Sequence, residues 1–432
     1  MKTAVKVLLC LAAGACVASF ALFNPLHHSK DVEEQPEVQH IPVVLNNVLT
    51  NEMSAYEELE GMDAEFRHFL RQWQIHGASL AIMRNDSLVY AKGYGEADLD
   101  RTPVTPGTIF RLASVSKLIT AIGIMTLQER GLLSLNDKVF TPEGILGDQP
   151  YTASISDKRY FDITVEQLLR HSAGLVNGSG DPMFNTRALI IRNHWDTPPD
   201  AATLSEHVLS WRLGYDPGTS SDYSNYGYLL LSMIIEKVTG ENYERWIREN
   251  VLYPAGCFDM HIGKNSYDQR FPNETRYFPT RTEGKVQKYD NSGQMVDRVY
   301  GGNDISALLG AGAWVASAPE IAKLVASIDG KPEVKDIINE RSIQQMTVPT
   351  DSVTYAIGWV DTKASGEWTR TGTLSGTTAL IKYYPDGECW VLLTNTGTYL
   401  GARFSRETSA LFIKSREEFS PLLPKRNLFY KE

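Results

Sequence analysis

Cysteine is scarce in this chain: four residues in 432, of which Cys10 and Cys16 lie within the first 23 positions. The remaining pair, Cys257 and Cys389, allows one bridge at most, and nothing in the sequence brings the two together, so no disulfide framework is expected. Basic blocks are missing too. Lys plus Arg number 42 against 52 Asp plus Glu, a net charge of -10, which argues against nucleic acid as a partner. Beyond residue 23 no uncharged run is long enough to cross a bilayer, which excludes a polytopic membrane protein. The nine histidines form neither His-x-His nor His-Glu-x-x-His, and Gly-x-Ser-x-Gly is absent. The familiar zinc-site and nucleophile-elbow patterns are therefore lacking, and no metal or other cofactor is expected. What is present, 42% hydrophobic, 22% charged and 10% aromatic residues, is the make-up of a folded globular protein with a large core.

Lys2 and Lys6 precede an uncharged, largely apolar stretch from Val7 to Phe23, the charge order of a secretory leader. Residues 1–23 are thus expected to be a signal peptide or membrane anchor, with the body exported to a periplasmic or extracytoplasmic location. Ala13-Gly14-Ala15 supplies small residues for cleavage before Cys16, which reads either as an ordinary cleavage site or as a loose lipoprotein box with Cys16 lipidated. An uncleaved anchor is the third reading. Residues 24–54 are acidic, Pro-bearing and without periodicity, and are expected to be an unfolded tether.

The main domain is assigned to 55–418, with a tail at 419–432. Phe66, Phe69, Leu70 and Trp73 recur at helical spacing up to His76-Gly77. Leu80–Met83 and Leu88–Ala91, separated by Arg84-Asn85-Asp86-Ser87, predict a hairpin. Near the other end, Ala379–Tyr384 and Cys389–Leu393 flank Pro385-Asp386-Gly387, a second hairpin, and Val353, Tyr355, Ile357 and Trp359 alternate as a strand. A last helix is expected over about 402–414. Between the ends, apolar periodicity over Leu118–Leu133, Tyr228–Val238 and Ile321–Ile328 predicts helices, the first two stopped by Gly131 and Gly240. The implied fold is α/β: an antiparallel sheet built from both chain ends and flanked by helices, with an inserted, mostly helical subdomain at roughly 132–300.

Three short patterns carry chemistry. In Ser114-Val115-Ser116-Lys117, at the head of the most apolar helix, a spacing of three stacks Ser114 and Lys117 on one face while Ser116 points elsewhere. A serine hydroxyl becomes a strong nucleophile only when a base takes its proton, and a lysine can do so only when neutral. Neutralising an ordinary lysine at pH 7 costs about 4.6 kcal/mol, and burial beside Leu118, Ile119 and Ile122 would supply that by desolvation. The helix start adds N–H donors near Ser114. Second, Tyr223-Ser224-Asn225 follows the Pro217-Gly218 turn and precedes a helix; in an extended segment Tyr223 and Asn225 face one cleft. Tyr223 can relay a proton, and Asn225 can accept from Lys117 and donate to a substrate carbonyl. Third, Arg370-Thr371-Gly372-Thr373 reads as part of an inner strand, its cation, hydroxyl and glycine suiting a substrate carboxylate, with the N–H groups of Thr373 and Ser114 as an oxyanion hole. The bland alternatives are a solvated helix start, a packed core tyrosine and a salt-bridged arginine.

The order of these elements, together with Phe110-Arg111-Leu112-Ala113, Leu168–Leu175, Pro217-Gly218 to Tyr228, Tyr253-Pro254-Ala255-Gly256 and Gly310-Ala311-Gly312-Ala313-Trp314 leading to Ala318-Pro319-Glu320, resembles the serine β-lactamase and penicillin-binding-protein group, in its class C β-lactamase-related branch. The likeness runs from about 60 to 415. It implies an acyl-enzyme at Ser114, proton handling by Lys117 and Tyr223, substrate orientation by Asn225, and carboxylate binding at position 370. The expected activity is a serine hydrolase acting on amide, lactam or ester carbonyls, as a D-alanyl carboxypeptidase, a β-lactamase or an esterase; the alternative is a non-turnover penicillin-binding sensor or an inactive binding module. Arg370 stands where the group usually has Lys or His. Arginine does not surrender a proton, so its part must be electrostatic, lowering the pKa of Lys117 and Tyr223 and favouring carboxylate-bearing small molecules or peptides as substrates. Glu166-Gln167-Leu168-Leu169-Arg170 is read as ordinary helix, and His171 as a buried structural histidine.

Overall fold

The computed structural model describes residues 44–178, 180–348, 355–398 and 400–430. The expected leader, with Cys16, and most of the expected tether lie outside them. The main sheet has six strands: β1 (Gly77–Arg84), β2 (Ser87–Gly95), β3 (Asp361–Thr362), β4 (Trp368–Leu374), β5 (Thr377–Tyr383) and β6 (Glu388–Thr394). Their order is β2-β1-β6-β5-β4-β3, antiparallel throughout. The two termini thus meet at its centre, where β1 pairs with β6 from Ala78↔Thr394 to Arg84↔Glu388.

Turn chemistry closes both predicted hairpins. Asn85 and Asp86 take φ of 45° and 55°, the left-handed pair that matches strand twist, and Gly387 has φ 84° in the second turn. Every residue of β5 and β6 is buried, so alternate side chains feed two cores. Leu80, Ile82, Leu380, Trp390 and Leu392 face helices α1 (Glu60–Gln72) and α5 (Gly401–Phe419). There Phe66 stacks on Tyr94 at 6.0 Å and on Trp390 at 6.4 Å. The opposite face, with Ala81, Met83, Ile381, Val391 and Leu393, packs on the inserted half of the chain.

In the middle of the chain, helix α2 (Ser116–Glu129) is buried from Ser116 to Leu127 and is the axis on which the other elements pack. Helices α3 (Asn225–Thr239) and α4 (Ala318–Ala326) lie against its surroundings, α4 also contacting β1 and β6. Gly131 and Gly240 both adopt left-handed φ, 67° and 70°, where the helices end. Helices and helical turns continue to Leu252, but 254–305 is largely loop with two-residue strands, because glycines and prolines punctuate it without apolar periodicity. A small second sheet joins Phe110–Arg111 to Trp314–Ala316, and that to His261–Ile262.

Three expectations change. The tether reading does not hold from Val44 onward: Leu45 and Leu49 are buried, and the Asn51 amide bridges Gly93 N at 2.7 Å and Val104 O at 2.9 Å. The chain end is likewise docked, Leu428 N donating to Leu88 O at 2.8 Å with Phe429 buried behind it. Val353 of the expected strand lies outside the described residues; from Tyr355 to Trp359 no strand forms, because Gly358 turns left-handed (φ 78°) and packs against Ala121 and Leu118 of α2. Cys257 and Cys389 are buried free thiols.

Phe429→Ala should lower the free energy of unfolding by about 3 kcal/mol, read as a reduced urea midpoint at unchanged slope. An unaltered midpoint would show that the terminal residues are not part of the core.

Candidate active site

The nucleophile loop is set by a strand-to-helix reversal. Phe110 and Arg111 pair with Ala316 and Val315, Leu112 N donates to Trp314 O at 2.8 Å, and the chain then turns into a short 3-10 segment, Ala113–Val115, that runs into α2. Ala113 sits at φ 49°, a left-handed conformation costing about 1–2 kcal/mol for a residue with a Cβ. Arg111 anchors the loop from below: its buried guanidinium donates to Val299 O and Lys264 O and lies 4.2 Å from the Tyr277 ring centre. Ser116 Oγ accepts from Trp314 N at 3.1 Å, so the second serine is structural.

Lys117 is fully buried, its Nζ 3.4 Å from Ser114 Oγ and 2.6 Å from both Asn225 Oδ1 and the Ala311 carbonyl. The bond count bears on its protonation. An ammonium has three donors and no acceptor, whereas a neutral amine has two donors and one lone pair. The three oxygens around Nζ suit either the three donors of an ammonium or the two donors and lone pair of a neutral amine, and only the neutral form can take the Ser114 hydroxyl proton. Burial lowers the Lys117 pKa, and the Arg370 charge adds to that against the opposing influence of Tyr223 and Asp181.

The Ala311 acceptor gives the Gly310–Trp314 motif a physical role. A Cβ on Gly310 would lie 2.4 Å from Thr120 Oγ1 and 2.5 Å from Ser232 Oγ. Its backbone bonds those same hydroxyls, which aims the next carbonyl at Lys117.

Tyr223 lies over the amine, its ring centre 4.8 Å from Nζ. Burial pushes its phenol up, but the Lys117 and Arg370 charges, with hydrogen bonds from Lys117 and Ser114, outweigh this and bring it down to about 8. His171 stands behind it, ring centres 4.3 Å apart. The His171 Nδ1 accepts from Ser224 N at 3.1 Å, and its carbonyl accepts from Asp222 N and Tyr215 Oη, so the buried histidine is a template for the segment carrying Tyr223. Its pKa is pushed well down by burial and by the Lys117 and Arg370 charges, which keeps the ring neutral.

Asn225 is the first residue of α3, with Ser224 as its cap, rather than part of an extended strand. Its Oδ1 faces Lys117, and its Nδ2 donates to Asp181 Oδ2 at 2.5 Å. Asp181 was not among the sequence candidates. In Gly180-Asp181-Pro182 it has the look of any turn aspartate, and its Oδ1 indeed caps Met183 N at 2.9 Å.

Arg370, Gly372 and Leu374 face inward from β4, while Thr371 is half-buried and Thr373 exposed. The strand is not interior along this stretch: β3 pairs only with Trp368 and Thr369, and among the described residues Arg370–Leu374 have no strand partner on that side. A Cβ on Gly372 would sit 2.2 Å from Leu112 O and 3.0 Å from Ser114 N, so only glycine lets β4 reach the nucleophile loop. The expected carboxylate contact of Arg370 is not what the geometry shows. The side chain is 1% exposed; Nε and Nη2 donate to Ser114 O at 2.8 and 2.5 Å, and Nη2 to Tyr223 Oη at 3.1 Å. Its charge acts on the proton-handling pair, the electrostatic part of the expectation. Glu166 pairs with Arg170 at 2.8 Å as an ordinary helix residue. Among the described residues no cluster of three or more His, Cys, Asp or Glu could hold a metal ion.

A serine with a buried lysine and tyrosine, set where a helical insertion meets the edge of a sheet closed by both termini, defines the class of serine β-lactamase and transpeptidase folds. The chain belongs to the Beta-lactamase family, whose model matches residues 62–413. It is 27% identical over 389 residues to "Putative penicillin-binding protein PbpX" of Bacillus subtilis (strain 168), covering 88% of this chain and 87% of that one. Protein flp of Staphylococcus aureus (strain N315) is 29% identical over 209 residues, 48% of this chain and only 38% of its own length. Among solved structures, the D-amino acid amidase of Ochrobactrum anthropi SV3 superposes with a TM-score of 0.64 at 20% identity, covering 85% of this chain and 99% of that one. The octameric penicillin-binding protein homologue of Pyrococcus abyssi gives 0.58 at 23%, covering 82% and 77%.

Removing the Arg370 charge lets both Lys117 and Tyr223 hold their protons to higher pH. In Arg370→Met the rising limb of the fluorophosphonate labelling rate at Ser114 should therefore move up by about one pH unit, and in Arg370→Lys it should stay near the wild-type position. An unmoved limb in the Met variant would sink the electrostatic role.

Proposed function

We propose that the protein is an exported serine hydrolase that forms an acyl-enzyme at Ser114 with amide, lactam or ester carbonyls. The observation that carries this is the placement of Lys117: fully buried, held by two carbonyl acceptors, and 3.4 Å from the Ser114 hydroxyl. In acylation the amine takes the hydroxyl proton as Oγ bonds to the carbonyl carbon, and the carbonyl electron pair moves onto oxygen. The N–H groups of Ser114 and Thr373, brought close by the Gly372 contact, hold that oxyanion. As the tetrahedral centre collapses, the bond to the leaving group breaks, and Tyr223, in contact with both Lys117 and Ser114, passes the proton to the departing nitrogen or oxygen. Water then enters by the same route in reverse. With Glu166 tied to Arg170, its activation falls to Lys117 and Tyr223.

Asn225 orients the acyl group through the second N–H of an amide whose first is held by Asp181. The family membership and the penicillin-binding and D-amino acid amidase names among the relatives favour amide and lactam carbonyls over simple esters. The basic and apolar order of residues 2–23 supports export, with the body held outside the membrane or released.

Intact-mass analysis after incubation with a penicillin and with a fluorophosphonate tests the proposal. One adduct per chain is expected, absent in Ser114→Ala, whose unfolding free energy should stay within about 1 kcal/mol of wild type. No adduct with either reagent would overturn the reading.

A further inference from the structure

An open groove of about 960 Å³ lies between the end of α1 and the start of α5, at the upper end of the roughly 300–1,000 Å³ typical of ligand pockets. Its walls come from three separate parts of the chain: the C-terminal turn of α1 and the residues after it, the loop 279–282, and residues 396–398 with Leu400, Arg403 and Glu407. Three guanidiniums line it, Arg71, Arg281 and Arg403, against one carboxylate, Glu407. Glu407 is already committed, accepting from Arg403 Nε at 2.7 Å and from Trp73 Nε1 at 3.1 Å. Among the described residues no carboxylate lies within ion-pair distance of Arg71 or Arg281. Thr398, also in the wall, has its Oγ1 shielded from water and without a partner.

In a protein of net charge -10, two exposed guanidiniums with no carboxylate partner among the described residues, on the rim of an open groove, form a local field that attracts anions. Their planar forks match carboxylates in particular. The segment that walls the groove also packs against the end of β4. A Cβ on Gly401, where α5 starts, would sit 3.4 Å from Thr373 Cγ2, and one on Gly397 would sit 3.3 Å from Gly376 N in the turn after β4. A chain laid along Arg370–Leu374 and past exposed Thr373 runs toward this groove.

We propose that the groove is the subsite for a carboxylate carried by a peptide substrate, one or more residues away from the carbonyl that Ser114 attacks. This rests on the acyl-enzyme reading above, and it names acidic peptides as the substrate class. The carboxylate recognition expected of buried Arg370 is thereby assigned to Arg71 and Arg281.

The test uses the full chain and matched p-nitrophenyl esters, N-acetyl-Glu-Glu-Gly and N-acetyl-Gln-Gln-Gly, with glycine spacers of increasing length. For at least one spacer the Glu ester should acylate the enzyme at least tenfold faster per unit concentration than its Gln counterpart, with the advantage falling as salt rises. The double variant Arg71→Glu, Arg281→Glu should abolish that advantage while fluorophosphonate labelling of Ser114 stays at the wild-type rate. Binding of dansyl-tri-glutamate and dansyl-tri-glutamine to Ser114→Ala gives a readout free of catalysis, and the same tenfold preference is expected. Equal behaviour of the Glu and Gln probes, with labelling intact, overturns the subsite and leaves the hydrolase reading standing. Glu-selective binding without any labelling overturns the hydrolase reading and leaves the site. Binding of tripolyphosphate but not of the Glu peptide overturns the assignment to peptides.

Discussion

The site is organised around an amine that must be kept out of water and still be satisfied. Lys117 meets both conditions because two carbonyl oxygens, from Asn225 and Ala311, reach it from opposite parts of the insertion. Each acceptor depends on packing well away from the chemistry. The Asn225 amide is oriented by Asp181 on its far side and by the capped start of α3, and the Ala311 carbonyl by a glycine whose backbone is pinned to Thr120 and Ser232. A buried amine lacking either acceptor would be left with an unmatched N–H in a dry place, which costs about 1–3 kcal/mol.

Around this amine the charges are arranged in one direction. Arg370 cannot give up its proton, and its position between Ser114 O and Tyr223 Oη fixes a positive potential on the two groups that must lose theirs. His171 sits in the same field but carries no charge of its own, and its contribution is shape. The division of labour is between a permanent cation that sets pKa values and neutral groups that move protons.

Much of this was legible in the sequence because covalent spacing dictates it. A serine and lysine three apart at a helix start must share a face, and Asn85-Asp86 and Asp386-Gly387 announce their turns by residue type. Long-range geometry was not legible. The Ala311 carbonyl is a group every residue has, and Asp181 looks like a turn former. A cation, a hydroxyl and a glycine in a row suggest a carboxylate site without saying that the Arg370 side chain is buried against Ser114 O and Tyr223, and so the guanidinium was expected to meet substrate. Residues 44–54 and 420–430 lack periodicity because single residues such as Leu45, Asn51 and Phe429 dock them one at a time. Gly358 interrupted an alternation that otherwise reads as a strand.

The register in which β1 lies against β6 has a temporal side. Gly77–Arg84 emerges early in synthesis, yet its central neighbour, Glu388–Thr394, arrives only after some three hundred further residues. Until then one edge of the first hairpin is open and its apolar faces are uncovered, and closing so long a loop makes sheet assembly slow. The nucleophile loop leans on β4, which belongs to the late-arriving half, so a nascent chain carries Ser114 and Lys117 long before it can bring them to reactivity. Latency during synthesis is thus built into the order of the strands.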